Sequence, residues 1–140
     1  MDKFTDYALR ILIILAVRDP ERLSTSAIAK IYDLSDNHLS KVASELVRLG
    51  FVSSVRGRAG GLTLAMPAKD ISVGAVVRAI KADAPVVECF GTNKSCRILP
   101  ACGLRTPMKE AQEAFFAALD PYALQDVSQA KSSLAELLAP

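Results

Sequence analysis

Between Leu23 and Met66 the spacing of apolar residues changes period, and that switch restricts the architecture more than any other feature of the chain. Over LSTSAIAKIYDLSDNHLSKVASELVRLGFV, Ile28 and Ile31 and then Leu39, Val42, Ala43, Leu46 and Leu49 recur at helical spacing, with Asp33, Leu34 and Ser35 breaking the run in two. Ser24 or Thr25 is placed to open the first helix and Gly50 to close the second. Directly behind Gly50, FVSSVRGRAGGLTLAM predicts a strand from Phe51 to Val55, a basic glycine-rich tip, and a strand from Leu62 to Met66. An earlier helix from Phe4 to Val17 carries Leu9, Leu12, Ile13 and Ala16 on one side, with Thr5 as its expected cap and a turn from Arg18 to Glu21 behind it. Two short helices joined by a tight turn, a third that closes the core and a hairpin behind them make a winged helix-turn-helix. Without the hairpin, a plain three-helix bundle would fit as well.

After Pro67 the pattern predicts a helix from Ile71 to Ile80, then an irregular loop containing Gly91, Pro100, Gly103 and Pro107, then a helix carrying Met108, Ala111, Phe115 and Leu119. That last helix is too apolar on one side to stand alone in water. The expected fold is therefore mostly α with a small β-hairpin wing: a winged helix-turn-helix plus a long C-terminal dimerisation helix. The expected organisation is a DNA-binding domain over 1–66, a linker and supporting helix over 67–88, a cysteine loop over 89–105, and the dimerisation helix and tail over 106–140. Folding back on its own chain is the alternative to dimerisation for the final helix.

Composition narrows the class. Seventeen basic against 15 acidic residues give a net charge of +2, which permits a local polyanion site without requiring one. The longest apolar run, Ile11 to Val17, falls well short of the roughly 18 residues that span a bilayer. Asp2 and Asp6 in the first segment argue against a signal peptide, so a cytoplasmic protein is expected. No G-x-G-x-x-G, Walker A or Cys-x-x-Cys motif is present, which disfavours an enzyme such as a thiol oxidoreductase. A small iron-sulfur electron carrier would have no use for the basic hairpin.

On the second helix of the pair, Asn37, His38, Ser40, Lys41, Ser44 and Arg48 lie largely outside the apolar stripe. Lysine donates to guanine, asparagine pairs with adenine, and serine serves either role, so these are candidates for readout in a major groove. A solvated helix face would have a similar composition, and His38 alone would equally well pack against the turn. Arg56 and Arg58, around Gly57, suit phosphates or an A·T-rich minor groove.

All three cysteines, Cys89, Cys96 and Cys102, fall in the irregular loop. An odd number cannot pair completely within one chain. Three thiolates can hold a soft metal, and iron-sulfur and zinc are the candidates. The close cysteine pairs common in zinc sites are missing. A 4Fe-4S cluster offers separate iron corners, of which three loop cysteines can hold three. Zinc with an oxygen ligand, a thiol redox switch and inert thiols remain open on the residues alone.

Taken together, FTDYALR at 4–10, the LSDNHLSKVASELVRLGFV segment, VRGRAGGLTLA at the wing, ISVGAVVRAI and the three-cysteine loop followed by AFFAAL resemble the family of winged-helix iron-sulfur transcription regulators. CRILPAC and GLRTPMKEAQEAFFAAL resemble its nitric-oxide-sensing NsrR branch. In the IscR branch a histidine ligand stands three residues after the last cysteine; here that position is Arg105, which argues against a histidine-ligated 2Fe-2S site. The resemblance implies a homodimeric repressor with one 4Fe-4S cluster per subunit, bound by Cys89, Cys96 and Cys102. It also implies that Asp6 is a fourth ligand given to the partner's cluster, although a first-turn acid also suits a helix start by itself. The implied partner is palindromic double-stranded operator DNA, and the implied signal is nitric oxide, which converts the cluster to iron-nitrosyl products and releases the DNA. A regulator responding to iron-sulfur status or redox poise is the alternative.

Overall fold

Asp2 starts the first helix: its carboxylate accepts the Thr5 N–H at 2.9 Å, and helix α1 runs from Lys3 to Arg18 in the computed structural model, which describes residues 2–83, 87–92 and 94–140. Thr5, expected as the cap, is instead fully buried one turn inside. An aspartate one turn earlier satisfies the free amide equally well and leaves the methyl of Thr5 to pack. The neighbouring stripe Ala8, Ile11, Leu12, Leu15 is buried, which makes α1 the central pillar of the core.

Helix α3 (Asp36–Arg48) packs on α1, and α2 (Thr25–Tyr32) packs on α3 and meets α1 through Tyr32 and Arg10. Ser24 caps α2 by accepting from Ala27 N–H at 3.0 Å, and Ser35 caps α3 by accepting from His38 N–H at 3.4 Å. The turn between them passes through Asp33 at φ +54°, a left-handed conformation that aspartate tolerates better than most residues. Ser26 Oγ donates to Asp36 Oδ2 at 2.7 Å and ties the two helices across that turn. At the end of α3, Gly50 adopts φ +86°; its N–H donates to Val47 O at 3.0 Å and that of Phe51 to Leu46 O at 3.0 Å. This pair of bonds is the glycine-dependent stop that closes a helix and reverses the chain.

The reversal feeds the hairpin directly. Strands β1 (Val52–Val55) and β2 (Gly61–Leu64) pair antiparallel, with Val52 opposite Leu64 and Val55 opposite Gly61. β1 starts one residue later than expected, because the Phe51 amide is used to close α3, and β2 starts one residue earlier than the expected Leu62 and ends at Leu64 instead of Met66. Leu23, just before α2, bridges to Leu62 through bonds of 3.2 and 2.7 Å, so the wing is fastened to the helical core at its base. Val52 and Leu62 face that core.

Helix α4 (Val73–Asp83) begins later than the expected Ile71, because Ile71 has another partner: its carbonyl accepts from Leu124 N–H at 2.7 Å. Helix α5 (Arg105–Leu119) begins before Pro107, whose missing N–H costs nothing in the first turn of a helix. Two short helices follow, α6 (Leu124–Val127) and α7 (Lys131–Leu137). They return to α1, with Leu124 and Leu138 buried in the same core as Leu12. The final stretch is thus a 15-residue helix followed by a segment packed on the winged-helix unit. Part of the expected linker, residues 84–86, and Asn93 of the cysteine loop lie outside the described residues.

Candidate functional site

Two groups of side chains stand out, one on α3 and the wing, the other in the cysteine loop. On α3, the stripe Leu39, Val42, Ala43 and Leu46 is buried, and this orients the opposite face outward. Asn37, Ser40, Lys41, Ser44 and Arg48 are all exposed on it. Arg48 is held by Glu45 one turn back, so its charge is shared with a carboxylate. His38 is half-buried, with its ring edge-on to Tyr7 of α1 at 5.1 Å between centroids. It thus joins the helix start to α1 more closely than it joins the outer face.

The wing tip is a tight turn from Gly57 to Gly60, closed by a 3.0 Å bond from Gly60 N–H to Gly57 O. Gly57 has φ +104°, and a Cβ at Gly60 would sit 2.1 Å from Val55 O, so glycine is required at both places. Arg56 and Arg58 are exposed on this tip.

The cysteine loop hangs between α4 and α5. Cys89 lies in a short turn over Glu88–Phe90, and Cys102 follows another over Leu99–Ala101, three residues before α5 starts at Arg105. The Cys102 N–H donates to Leu99 O at 3.4 Å, the Leu99 N–H to Cys96 O at 3.1 Å, and Lys94 Nζ donates to the Cys89 carbonyl. The loop brings all three thiols to one open cavity of about 290 Å³, whose other walls are Val87, Ile98, Leu104, Arg105 and Met108. All three cysteines are free. Among the described residues no group of three His, Cys, Asp or Glu side chains is arranged to hold a single metal ion. The cavity is lined by soft sulfur and apolar carbon with one guanidinium among its walls. Three thiolates are the donor set of a soft metal centre, so the residues present fit an iron-sulfur group.

Arg105, which the sequence places three residues after the last cysteine, is on the cavity wall; Met108, also on it, was not legible as a site residue. The spacing assigns Met108 to the dimer stripe, and only its place one turn into the helix after Cys102 hints otherwise.

Asp6 does not reach this cavity within the chain. It lies in the first turn of α1, where its carboxylate pairs with the Arg10 guanidinium at 3.0 Å. Arg10 also lies over the rings of Tyr7 at 5.6 Å and Tyr32 at 5.8 Å, and the Tyr32 hydroxyl donates to the Arg10 carbonyl at 2.9 Å. Burial pushes the Tyr32 hydroxyl up to about 12; the Arg10 charge opposes this and the nearby Asp6 carboxylate adds to it. Asp6, Arg10, Tyr7 and His38 thus form a continuous set of contacts from the start of α1 to the start of α3.

A second joint fastens α1 to α4: Lys81 Nζ lies 2.5 Å from Asp2 Oδ2. Burial works against the Asp2 charge, but the hydrogen bonds from Lys81 and the Thr5 amide outweigh it and hold the carboxyl down at about 2. A third joins α4 to α5, where Arg78 reaches both Glu113 and Asp120. On α5 itself Phe116 is buried, while Phe115 at 46% and Leu104 just before the helix at 60% stay exposed. No helix among the described residues is long and apolar enough to cross a membrane.

Residues 1–130 match the family model described as Rrf2, iron-dependent transcriptional regulator. The regulator NsrR of Bacillus subtilis is 45% identical over 140 residues, covering 99% of this chain and 96% of that protein. The repressor NsrR of Streptomyces coelicolor is 45% identical over 129 residues, covering 91% of this chain and 86% of that protein. Among solved structures, T. potens IscR superposes with a TM-score of 0.70 at 25% identity, covering 92% of this chain and 85% of that one.

Proposed function

This chain belongs to the Rrf2 family of transcriptional regulators, and from that premise we propose that it is a homodimeric repressor whose grip on a palindromic operator depends on a 4Fe-4S cluster in each thiol-lined cavity and is lost on exposure to nitric oxide. Its role is regulatory and not catalytic. The observation that carries the cluster reading is the convergence of Cys89, Cys96 and Cys102 on one largely apolar cavity. The largely apolar wall offers no other ligands than the sulfur donors, while Arg105 beside them offsets negative charge. When bound, the cluster supplies an iron corner at which a diatomic molecule can displace a weakly held ligand.

The chain's own residues do the rest. Asp6, a hard carboxylate, is a poor partner for soft iron and so suits the displaceable position on the partner's cluster. A ligand role for Asp6 would compete with its pairing to Arg10, which lies over Tyr7, which in turn packs against His38 at the start of α3. Cys102 sits three residues from α5, so the state of the loop also bears on the helix that presents Phe115 and Leu104 for pairing of protomers. A dimer sets the separation of the two α3 faces carrying Asn37, Ser40, Lys41 and Ser44, and half-site spacing is read as affinity. Arg56 and Arg58 add phosphate or minor-groove contacts from each wing.

The test is an anaerobic titration of the cluster-loaded chain against a duplex that it has selected from a random-sequence pool, before and after addition of nitric oxide. Affinity is expected to fall by at least an order of magnitude, since each 1.4 kcal/mol of coupling corresponds to about tenfold. Unchanged affinity rejects nitric oxide as the signal; a loss seen with oxygen or thiol oxidants alone supports the redox alternative.

A further inference from the structure

Arg22 lies on the short connection between α1 and α2. Its guanidinium nevertheless reaches the wing: Nη1 donates to Ala59 O at 3.2 Å, across 37 residues of sequence. Ala59 is inside the Gly57–Gly60 turn, between Arg58 and the glycine that closes it. The contact is set up by the backbone below it. Leu23 and Leu62 exchange two main-chain bonds, and a Cβ at Gly61 would come within 2.9 Å of the Leu23 backbone, so the connection and β2 run in close register. Arg22, one residue before Leu23, is thereby placed beside the tip.

The neighbouring acid does not compete for it. Glu21 is taken by Arg18, with bonds of 2.8 and 3.1 Å. Among the described residues Arg22 has no carboxylate within ion-pair distance. One N–H of its fork is bound to a neutral carbonyl, the side chain is exposed, and that carbonyl belongs to the residue directly after Arg58 in the tip.

We infer that Arg22 is a third phosphate-binding arginine of the wing, contributed from outside the hairpin, which also holds the tip in the conformation that presents Arg56 and Arg58. This rests on the reading of the wing as a DNA contact. A guanidinium with one donor anchored loses less rotamer freedom on meeting a phosphate, and its planar fork suits two phosphate oxygens.

The experiment compares the full cluster-loaded chain with Arg22→Ala and Arg22→Lys, titrating the selected duplex at several salt concentrations. Each phosphate contact contributes about 0.9 to the slope of log affinity against log salt. Arg22→Ala is expected to lower the slope by about that amount per bound protomer, with an unchanged melting temperature, and Arg22→Lys to restore it. A wild-type slope in Arg22→Ala overturns the inference even if affinity falls, because losing either a direct phosphate contact of Arg22 or the presentation of Arg56 and Arg58 would lower the number of phosphates bound. If the wild-type chain selects no duplex, or Arg56→Ala leaves the slope unchanged, the reading of the wing itself fails.

Discussion

Arg78 holds Asp120 through two bonds, Nε to Oδ1 at 3.1 Å and Nη2 to Oδ2 at 2.8 Å, and so fixes the end of α5 against α4. The same guanidinium reaches both oxygens of Glu113 at 2.9 and 2.7 Å and lies 5.1 Å from the Phe116 ring centroid. Its hydrogen bonds hold the carboxyls of Glu113 and Asp120 below their ordinary range. A depressed carboxylate stabilises the fold above its unfolded pKa, and that contribution is lost as pH falls through the folded value. Arg78→Met is therefore expected to melt lower than wild type at neutral pH, with the difference shrinking below about pH 4 as both carboxyls protonate. Melting curves of both proteins across that range check the sign; a gap that widens in acid contradicts it.

Gly74 sits under the same joint. A Cβ there would fall 2.1 Å from Asp120 Oδ1 and 2.6 Å from the Asp120 backbone, so α5 would have to move. Gly74→Ala should cost about 1–3 kcal/mol as an overpacked contact, despite alanine's better helix propensity. Denaturant titration measures it, and a stabilised variant would mean that α5 is not seated as described.

Leu124 is 1% exposed and shares its cluster with α1 residues. Leu124→Ala is expected to cost about 2–5 kcal/mol in a single cooperative transition, as for a buried leucine of the winged-helix core itself. A loss below about 0.5 kcal/mol would place residues after α5 outside that core.

The winged helix was legible because its signals are local. Ser24, Ser35 and Gly50 are caps that act within a few residues, and the change of period at Gly50 marks the hairpin directly. What sequence hides is long-range partnership. Ile71 starts no helix because Leu124 takes its carbonyl, and nothing near either residue announces that bond. Spacing assigns Phe115 and Met108 to a single stripe, yet Phe116 is the buried ring and Met108 turns to the thiol cavity, since both outcomes depend on where α4 and the loop lie. The three cysteines were plain as a set, and so was Arg105 beside them; the apolar wall of Val87, Ile98, Leu104 and Met108 was not. Arg22 carried no local signal whatever.

Cys96 is exposed, so Cys96→Ser should leave the melting of the metal-free chain within about 0.5 kcal/mol while removing iron and acid-labile sulfide from anaerobically prepared protein. Asp6→Ala loses an i,i+4 ion pair worth about 0.3–0.5 kcal/mol and keeps all three thiols. It is expected to retain iron and sulfide with an altered visible spectrum. A spectrum identical to wild type would remove Asp6 from the ligand set, and intact metal content in Cys96→Ser would remove that thiol.

Lys41 and Arg56 should fail in different ways, because one stands on the outer face of α3 and the other on the hairpin tip. A lysine that donates to a base edge contributes to one position of the site only. Lys41→Ala is therefore expected to cost about 1–3 kcal/mol on the selected duplex and much less on a variant already changed at the contacted base pair. An arginine on phosphate has no such preference. Arg56→Ala should weaken every duplex of a single-substitution panel by a similar factor and lower the salt dependence with it. If the two variants instead give parallel profiles across the panel, α3 makes no base contact through Lys41, and recognition passes to Asn37, Ser40 and Ser44 on the same exposed face.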